Sequence, residues 1–284
     1  MADFRDVLLT VDFDHTLTGP DASIPQRNLE AIRWFIDNGG AFTVNTGRSI
    51  PMTVSFSDIV PVSAPLLLYN GAAAYDPKTG TLSQLHEFDL DLWDTIRWLL
   101  ENFPDFTVEI QGVDAHYIFR ENREWETMSR LNRCAFGIAK PGQDLGPFLK
   151  FTLYGRFRAP TLASFYEYTD EEMRRVEEAE RLLSEKFGGK CFTSRAMPRI
   201  IDVQAPGVSK LTAARSLQQK MGRKLLVCVG DGENDVSMLR GADFAYCPAD
   251  GVVADRFENV CVCAEGAVAD VIYKKIPQIL KNSP

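Results

Sequence analysis

The sequence predicts an α/β protein in which both ends of the chain build one open parallel β-sheet. A pattern of strand, helix and strand occupies the N-terminal quarter and returns in the last third of the chain. This alternation is typical of a parallel sheet covered by helices. Between the two parts the pattern changes to short strands and longer helices. That change predicts a separate α+β domain inserted into the first.

The N-terminal elements can be read in order. Val7–Val11 is apolar except for Thr10, and it is predicted as a parallel strand buried on both faces. A helix follows from about Gln26 and ends at Asn38-Gly39-Gly40, a typical stop signal. Residues 41–45 and 65–70 are predicted as the second and third strands.

The remaining elements divide between the insert and the returning sheet. The insert is placed at residues 85–203, with a helix, a hairpin, a charged helix and two further strands at 89–103, 106–120, 170–188, 191–194 and 199–203. The sheet then resumes with a helix, a strand and a short helix at 209–222, 224–230 and 235–242. Residues 1–84 and 204–284 therefore form one domain, and the insert forms the other.

Composition excludes several classes of protein. The 284 residues are enough for an enzyme core, and a net charge of -8 argues against a protein that coats nucleic acid or an anionic membrane. The N-terminus lacks the pattern of a secretory leader, and no apolar run approaches the length of a membrane span. We expect a cytoplasmic protein that is a monomer or a small homo-oligomer.

Reactive side chains follow three predicted strands at the point where each strand ends. Asp12 and Asp14 come after the first strand, Thr46 and Gly47 after the second, and residues 231–235 after the late strand. Ligands of open α/β sheets bind beyond the carboxyl ends of the strands. If these strands are neighbours, the three loops converge on one site.

Four of these side chains are carboxylates, Asp12, Asp14, Asp231 and Asp235. Two unit charges 4 Å apart repel by about 4 kcal/mol at an effective dielectric near 20, so the cluster needs a cation. Oxygen ligands without nearby imidazoles favour Mg²⁺ over zinc or copper. The sequence therefore predicts a magnesium site.

Two further residues suit a phosphate group. Thr46 offers a hydroxyl at a strand end, and Lys210 lies at a helix N-terminus just after Ser209, where the helix dipole adds to its charge. A metal, a phosphate cradle and a carboxylate nucleophile together indicate phosphoryl transfer.

The order of motifs resembles that of the haloacid dehalogenase superfamily. DFDHT, TGR, an isolated lysine and GDGEND occur in this order, and YNGAAAYD and GVSK are similar to the Cof-type branch. That branch carries a large α+β cap between the second and third motifs. The resemblance covers nearly the whole chain and implies a Rossmann-like, three-layer core with residues 85–203 as the cap.

The resemblance also implies a role for each site residue. Asp12 would be the nucleophile that forms an aspartyl-phosphate, and Asp14 the acid that protonates the leaving alcohol and then the base that activates water. Mg²⁺ would be bound by Asp12, the backbone carbonyl of Asp14 and Asp231, with Asp235 in support. The phosphate would be held by Thr46, Gly47, Lys210 and Asn234.

Two positions depart from the family pattern. His15 stands where the motif usually has glycine, and its ring either takes part in catalysis or turns away from the site. Residues 247–251 replace the GNA-like turn that usually follows the last acidic motif.

Three functions are compatible with these observations. The leading one is a Mg²⁺-dependent phosphatase for small phosphorylated metabolites such as sugar phosphates. A phosphomutase of the same fold would return the phosphate to its substrate. A regulatory protein without turnover would keep the fold only, but all expected acidic positions are filled, which argues against it.

Overall fold

The computed structural model of this protein describes residues 3–161, 164 and 166–282, and its chain divides into two compact units. The core unit comprises Met1–Gly47, Ser57–Ser83 and Ser209–Pro284. The insert unit comprises Arg48–Phe56 and Gln84–Val208.

The core unit is built on a five-stranded parallel sheet. Its strands are β1 (Val7–Val11), β2 (Ala41–Val44), β12 (Leu225–Val229), β13 (Phe244–Pro248) and β14 (Glu258–Val260). They lie in the order β14-β13-β12-β1-β2, so β1 has β12 on one side and β2 on the other. The loops after these three strands therefore leave the same edge of the sheet.

Helices of the core unit are α1 (Gln26–Asp37), α5 (Lys210–Lys220), α6 (Val236–Gly241), α7 (Ala267–Asp270) and α8 (Ile276–Asn282). Leu8 of β1 packs in one apolar cluster with Leu217 of α5 and Met238 of α6. Val7 and Leu9 point to the opposite face, because side chains alternate along a strand, and they are also fully buried. Both faces of the sheet are covered, which explains why all five residues of β1 are buried and all but Thr10 are apolar.

A small sheet extends this core. It contains β3 (Leu66–Leu68), β4 (Ala73–Asp76) and β5 (Thr81–Leu85), in that order. A parallel bridge between Asn45 and Leu67 places β3 beside the end of β2.

The insert unit contains a six-stranded sheet with helices α2 (Leu92–Asn102), α3 (Arg123–Leu131) and α4 (Asp170–Phe187). Its strands are β6 (Thr107–Gly112), β7 (His116–Ile118), β8 (Phe136–Ile138), β9 (Phe148–Tyr154), β10 (Phe192–Met197) and β11 (Ile200–Gln204). Their order is β10-β11-β9-β6-β7-β8, and β6 and β7 form the antiparallel hairpin expected from the sequence.

Glu109 is the centre of a buried polar cluster in the insert unit. Its carboxylate lies 2.9 Å from His116 Nδ1 and accepts hydrogen bonds from Trp125 and Tyr154, each at 2.9 Å. Burial acts to raise the pKa of Glu109, but His116 and the hydrogen bonds from Gln111 and Tyr154 hold the pKa below its usual value. His116 Nε2 in turn lies 2.6 Å from the hydroxyl of Ser49.

The contact with Ser49 bears on the domain boundaries. The sequence pattern predicts residues 48–56 as part of the core, whereas the structure groups Arg48–Phe56 with the insert unit. The side chains that link residues 48–56 to the rest of the insert unit are those of Ser49 and His116, which are far apart in the sequence. Sequence patterns therefore gave no indication of this contact.

The predicted α/β class is confirmed, with a parallel sheet as the core. Among the described residues, no helix combines the length and the apolar character needed to cross a membrane.

Candidate active site

The candidate site lies at the carboxyl edge of the core sheet. Asp12 follows β1 directly, and its backbone N–H donates to the carbonyl of Val229 at the end of β12 (2.9 Å). Asp231 lies two residues after Val229 in the sequence. Adjacent parallel strands thus bring Asp12 and Asp231 together, as the sequence predicts.

Lys210 is the fixed cation of the site. Its ammonium donates to Asp12 Oδ1 at 2.7 Å and to Asp235 Oδ1 at 2.6 Å, and its side chain is fully buried. Burial acts to lower the pKa of Lys210, but the two carboxylates outweigh it and hold the pKa above its usual value. Lys210 is therefore charged at neutral pH.

Burial, together with the charge of Asp235, raises the pKa of Asp12 to about 7, although Lys210 acts in the opposite direction. Burial and the charges of Asp12 and Asp235 raise the pKa of Asp231 to about 8, against a hydrogen bond from Thr16. That bond runs from the Thr16 hydroxyl to Asp231 Oδ1 at 2.7 Å. One ammonium does not compensate for this many buried carboxylates.

Asp235 shapes the loop that carries Asp231. Its Oδ2 accepts hydrogen bonds from the backbone N–H groups of Asp231 and Gly232, both at 3.0 Å. A Cβ at position 230 would lie 2.6 Å from Asp235 Cγ, so the glycine there allows the close turn. Both Asp235 oxygens thus accept hydrogen bonds, which suits the supporting role that the resemblance implies.

The carboxylates fit a divalent cation. One oxygen from each of Asp12, Asp231 and Asp235 lies within 4.8 Å of the others. All three are buried, and burial together with the neighbouring carboxylates raises the pKa of Asp12 and of Asp231, so a bound cation would stabilise their ionised forms. A donor set made only of carboxylate oxygens suits Mg²⁺ or Ca²⁺ rather than a softer metal.

The other predicted site residues lie at the same edge of the sheet. The backbone N–H of Asn45 donates to Val11 at 2.8 Å, which places Thr46 and Gly47 beside the end of β1. Asp14 is in the turn Phe13–Leu17, and Asn234 is in the loop between Asp231 and Asp235. Asp14 and Asn234 are both half-buried.

His15 has a left-handed backbone conformation, with φ 57° and ψ 9°. Glycine adopts this conformation without a steric penalty, whereas it destabilises the backbone of most other residues. The conformation gives a physical reason for the glycine that is usual in this motif. Histidine is one of the residues found more often than most in this region, and here its side chain is half-buried.

Residues 247–251 pack against Asp231. A Cβ at Gly251 would lie 2.6 Å from Cys247 Sγ and 3.1 Å from Asp231 Cβ. The backbone N–H of Val253 donates to the Asp231 carbonyl at 3.1 Å. Gly251 and Val253 therefore both lie against Asp231.

Two residues that contact the site, Thr16 and Asn45, had no individual role predicted from the sequence. Thr16, the threonine of DFDHT, binds Asp231, and Asn45, next to TGR, donates from Nδ2 to the carbonyl of Lys210 at 2.9 Å. Thr16 could have been identified from its place in the motif. Asn45 could not, because its partner is far away in the sequence.

Comparison with known proteins assigns the chain to a family. Residues 9–253 match the family described as haloacid dehalogenase-like hydrolase. The chain belongs to this family. The predicted superfamily, and the prediction that the protein is an enzyme, are thereby confirmed.

Relatives within the haloacid dehalogenase-like family are distant in sequence. A 5-amino-6-(5-phospho-D-ribitylamino)uracil phosphatase of Bacillus subtilis, YitU, is 20% identical over 251 residues, which cover 87% of this chain and 88% of YitU. A solved haloacid dehalogenase-like hydrolase from B. subtilis superimposes with a TM-score of 0.78 at 19% identity, covering 94% of this chain and 99% of its own. The subclass IIB sugar phosphatase BT4131 gives a TM-score of 0.74 at 17% identity, covering 96% of this chain and 99% of its own.

Proposed function

We propose that this protein is a Mg²⁺-dependent phosphatase that hydrolyses phosphate monoesters of small metabolites through an aspartyl-phosphate on Asp12. The observation that carries the proposal is the buried cluster of Asp12, Asp231 and Asp235 with Lys210 in contact with Asp12. The relatives named as phosphatases of a ribityl phosphate and of sugars support sugar phosphates as the first substrates to test.

In the first step Asp12 attacks phosphorus and the bond to the alcohol oxygen breaks. Asp14, two residues further on, gives its proton to the leaving alcohol. Lys210 is fixed beside Asp12 by two hydrogen bonds and offsets negative charge where the phosphate arrives. Thr46, Gly47 and Asn234 hold the phosphate oxygens.

In the second step Asp14 takes a proton from water, which attacks phosphorus, regenerates Asp12 and releases inorganic phosphate. When bound by Asp12, the backbone carbonyl of Asp14 and Asp231, Mg²⁺ would supply positive charge that would keep Asp12 ionised and offset the charge of the phosphate. Asp235 holds the Asp231 loop in place through its backbone hydrogen bonds.

The test is a hydrolysis screen over sugar phosphates, nucleotides, cofactor phosphates and phosphorylated acids, with release of inorganic phosphate as the readout. Each substrate is assayed with Mg²⁺ and with chelator. We expect turnover of at least one class of small ester in Mg²⁺ and its loss in chelator. Transfer of phosphate within the substrate without release would indicate a phosphomutase, and binding without either reaction would indicate a regulatory protein.

The cytoplasmic location and the small oligomeric state expected from the sequence stay predictions. Gel filtration with light scattering measures the second of them directly.

A further inference from the structure

The turn after β3 contains three consecutive residues with positive φ. Tyr69, Asn70 and Gly71 have φ values of 52°, 55° and 103°. For a residue other than glycine, a left-handed conformation costs roughly 1–2 kcal/mol, and such a conformation persists where the surrounding contacts enforce it. Tyr69 and Asn70 are also almost completely buried, so the turn is held by its neighbours.

One of these neighbours is the loop that carries Thr46 and Gly47. The backbone N–H of Asn70 donates to the Thr46 carbonyl at 3.0 Å, and the N–H of Thr46 donates to Leu67 at 2.9 Å. A Cβ at Gly47 would lie only 2.9 Å from Asn70 Oδ1. The Asn70 side chain therefore lies directly against the backbone of Gly47.

The other neighbour is the start of α5. A Cβ at Gly71 would lie 2.4 Å from the carbonyl oxygen of Ser209, the residue before Lys210. The turn thus packs between the loop of Thr46 and the N-terminus of the helix that carries Lys210. These are two of the groups that the proposed function assigns to phosphate binding.

We propose that Asn70 is a positioning residue whose side chain, packed across Gly47, holds the Thr46–Gly47 loop in the conformation that binds phosphate. This inference rests on the proposed function for the identity of the ligand, a phosphate dianion. It also explains why residue 47 is glycine, since a side chain at this position would displace Asn70. The left-handed backbone suits asparagine, which tolerates this conformation better than most residues.

The test is Asn70→Gly, which keeps a backbone tolerant of positive φ and removes only the side chain. The matched control is Ala22→Gly, which removes a side chain at an exposed position of the core unit with φ 62°. The probes are p-nitrophenyl phosphate for kcat and KM and inorganic phosphate, with Mg²⁺, for the dissociation constant measured by calorimetry. Calorimetry does not depend on turnover, so a failure of the proposed catalytic function leaves this readout in place.

We expect Asn70→Gly to weaken phosphate binding and raise KM by about tenfold, the effect of losing about 1.4 kcal/mol of preorganisation, with a smaller change in kcat. Ala22→Gly should leave both values unchanged. An Asn70→Gly protein that is folded and binds inorganic phosphate within twofold of the wild type would overturn the proposal.

Gly47→Ala provides a second measurement if Asn70→Gly folds poorly. Its Cβ should displace Asn70 and weaken phosphate binding in the same way. The double variant Gly47→Ala/Asn70→Gly removes that collision, so it should bind phosphate no more weakly than Asn70→Gly. Losses that simply multiply in the double variant would show two independent effects and contradict the proposal.

Discussion

Replacement of Asp12 by Asn should make the metal-free protein more stable while it abolishes turnover. Asp12 is buried, and one of its oxygens lies within 4.8 Å of oxygens of Asp231 and Asp235. Asn has nearly the same shape, and its amide oxygen can accept the hydrogen bond that Lys210 gives to Asp12. The change therefore removes a repelling charge and leaves the packing intact, while the attacking carboxylate is lost.

The size of the effect follows from the pKa of Asp12, which burial and the charge of Asp235 raise from 3.8 to about 7. Between these values the folded state keeps a proton that the unfolded state releases, so the stability of the wild type falls as pH rises. At about 1.4 kcal/mol per pH unit, the penalty reaches about 4 kcal/mol above pH 7 and is below about 2 kcal/mol at pH 5. Asp12→Asn has no ionisable carboxyl group at this position, so its folding stability does not include this loss.

The assay is urea unfolding of both proteins in chelator at pH 5 and pH 8. We expect Asp12→Asn to be the more stable protein, by up to about 4 kcal/mol at pH 8 and by less at pH 5. Mg²⁺ should narrow the difference, because it stabilises the folded wild type more than the variant. The control is Asp255→Asn, at a side chain 83% exposed, which should change stability by less than about 0.5 kcal/mol.

Two results would refute this reasoning. One is an Asp12→Asn protein that is less stable than the wild type in chelator at pH 8. The other is a stability difference that does not change with pH, since self-repulsion among ionised carboxylates must fade as they take up protons. Near wild-type hydrolysis by Asp12→Asn would separately remove Asp12 as the nucleophile.

Three further predictions test other parts of the molecule. Asp14→Asn should nearly abolish hydrolysis of a sugar phosphate. With p-nitrophenyl phosphate it should give a burst of about one nitrophenol per site in rapid-mixing kinetics, because that leaving group needs no proton. Equal loss for both substrates without a burst would assign Asp14 to the metal site alone. His15→Val should be less stable than His15→Gly by roughly 1–2 kcal/mol in urea unfolding, because φ 57° is unfavourable for a β-branched residue; equal stabilities would show that the turn relaxes. His116→Ala should destabilise the protein by about 1–3 kcal/mol in the same assay, since it removes the imidazole nitrogen that lies 2.9 Å from the buried Glu109 carboxylate. A loss below about 0.5 kcal/mol would show that Glu109 is satisfied without His116.

The residues at the strand ends show what can be predicted from the sequence alone. Val7–Val11 is apolar except for Thr10 because both of its faces are covered, and Asp12 follows directly. The position of this carboxylate at a strand end was therefore predictable from the pattern alone. The same holds for Asp231 after β12. Adjacent parallel strands then have to bring these two loops together.

The hydrogen bonds of the site were less predictable. Lys210 is predicted to hold phosphate, which stays a prediction. What the structure shows is that Lys210 joins Asp12 to Asp235, residues 198 and 25 positions away. Nothing in the local sequence around Lys210 indicates which carboxylates it contacts. The pKa values of Asp12 and Asp231 depend on the same arrangement, because burial and neighbouring charges raise both.

The sequence by itself determined the fold class, the order of the motifs and the edge of the sheet at which the reactive residues lie, because periodicity and strand ends are local properties of the chain. Only the tertiary structure decided that Thr16 binds Asp231, that Asn70 packs against Gly47, and that Ser49 groups with the insert unit through His116. These contacts join residues that are distant in the sequence, and hydrogen bonds and close packing form only where the folded backbone brings such residues within a few ångströms of each other.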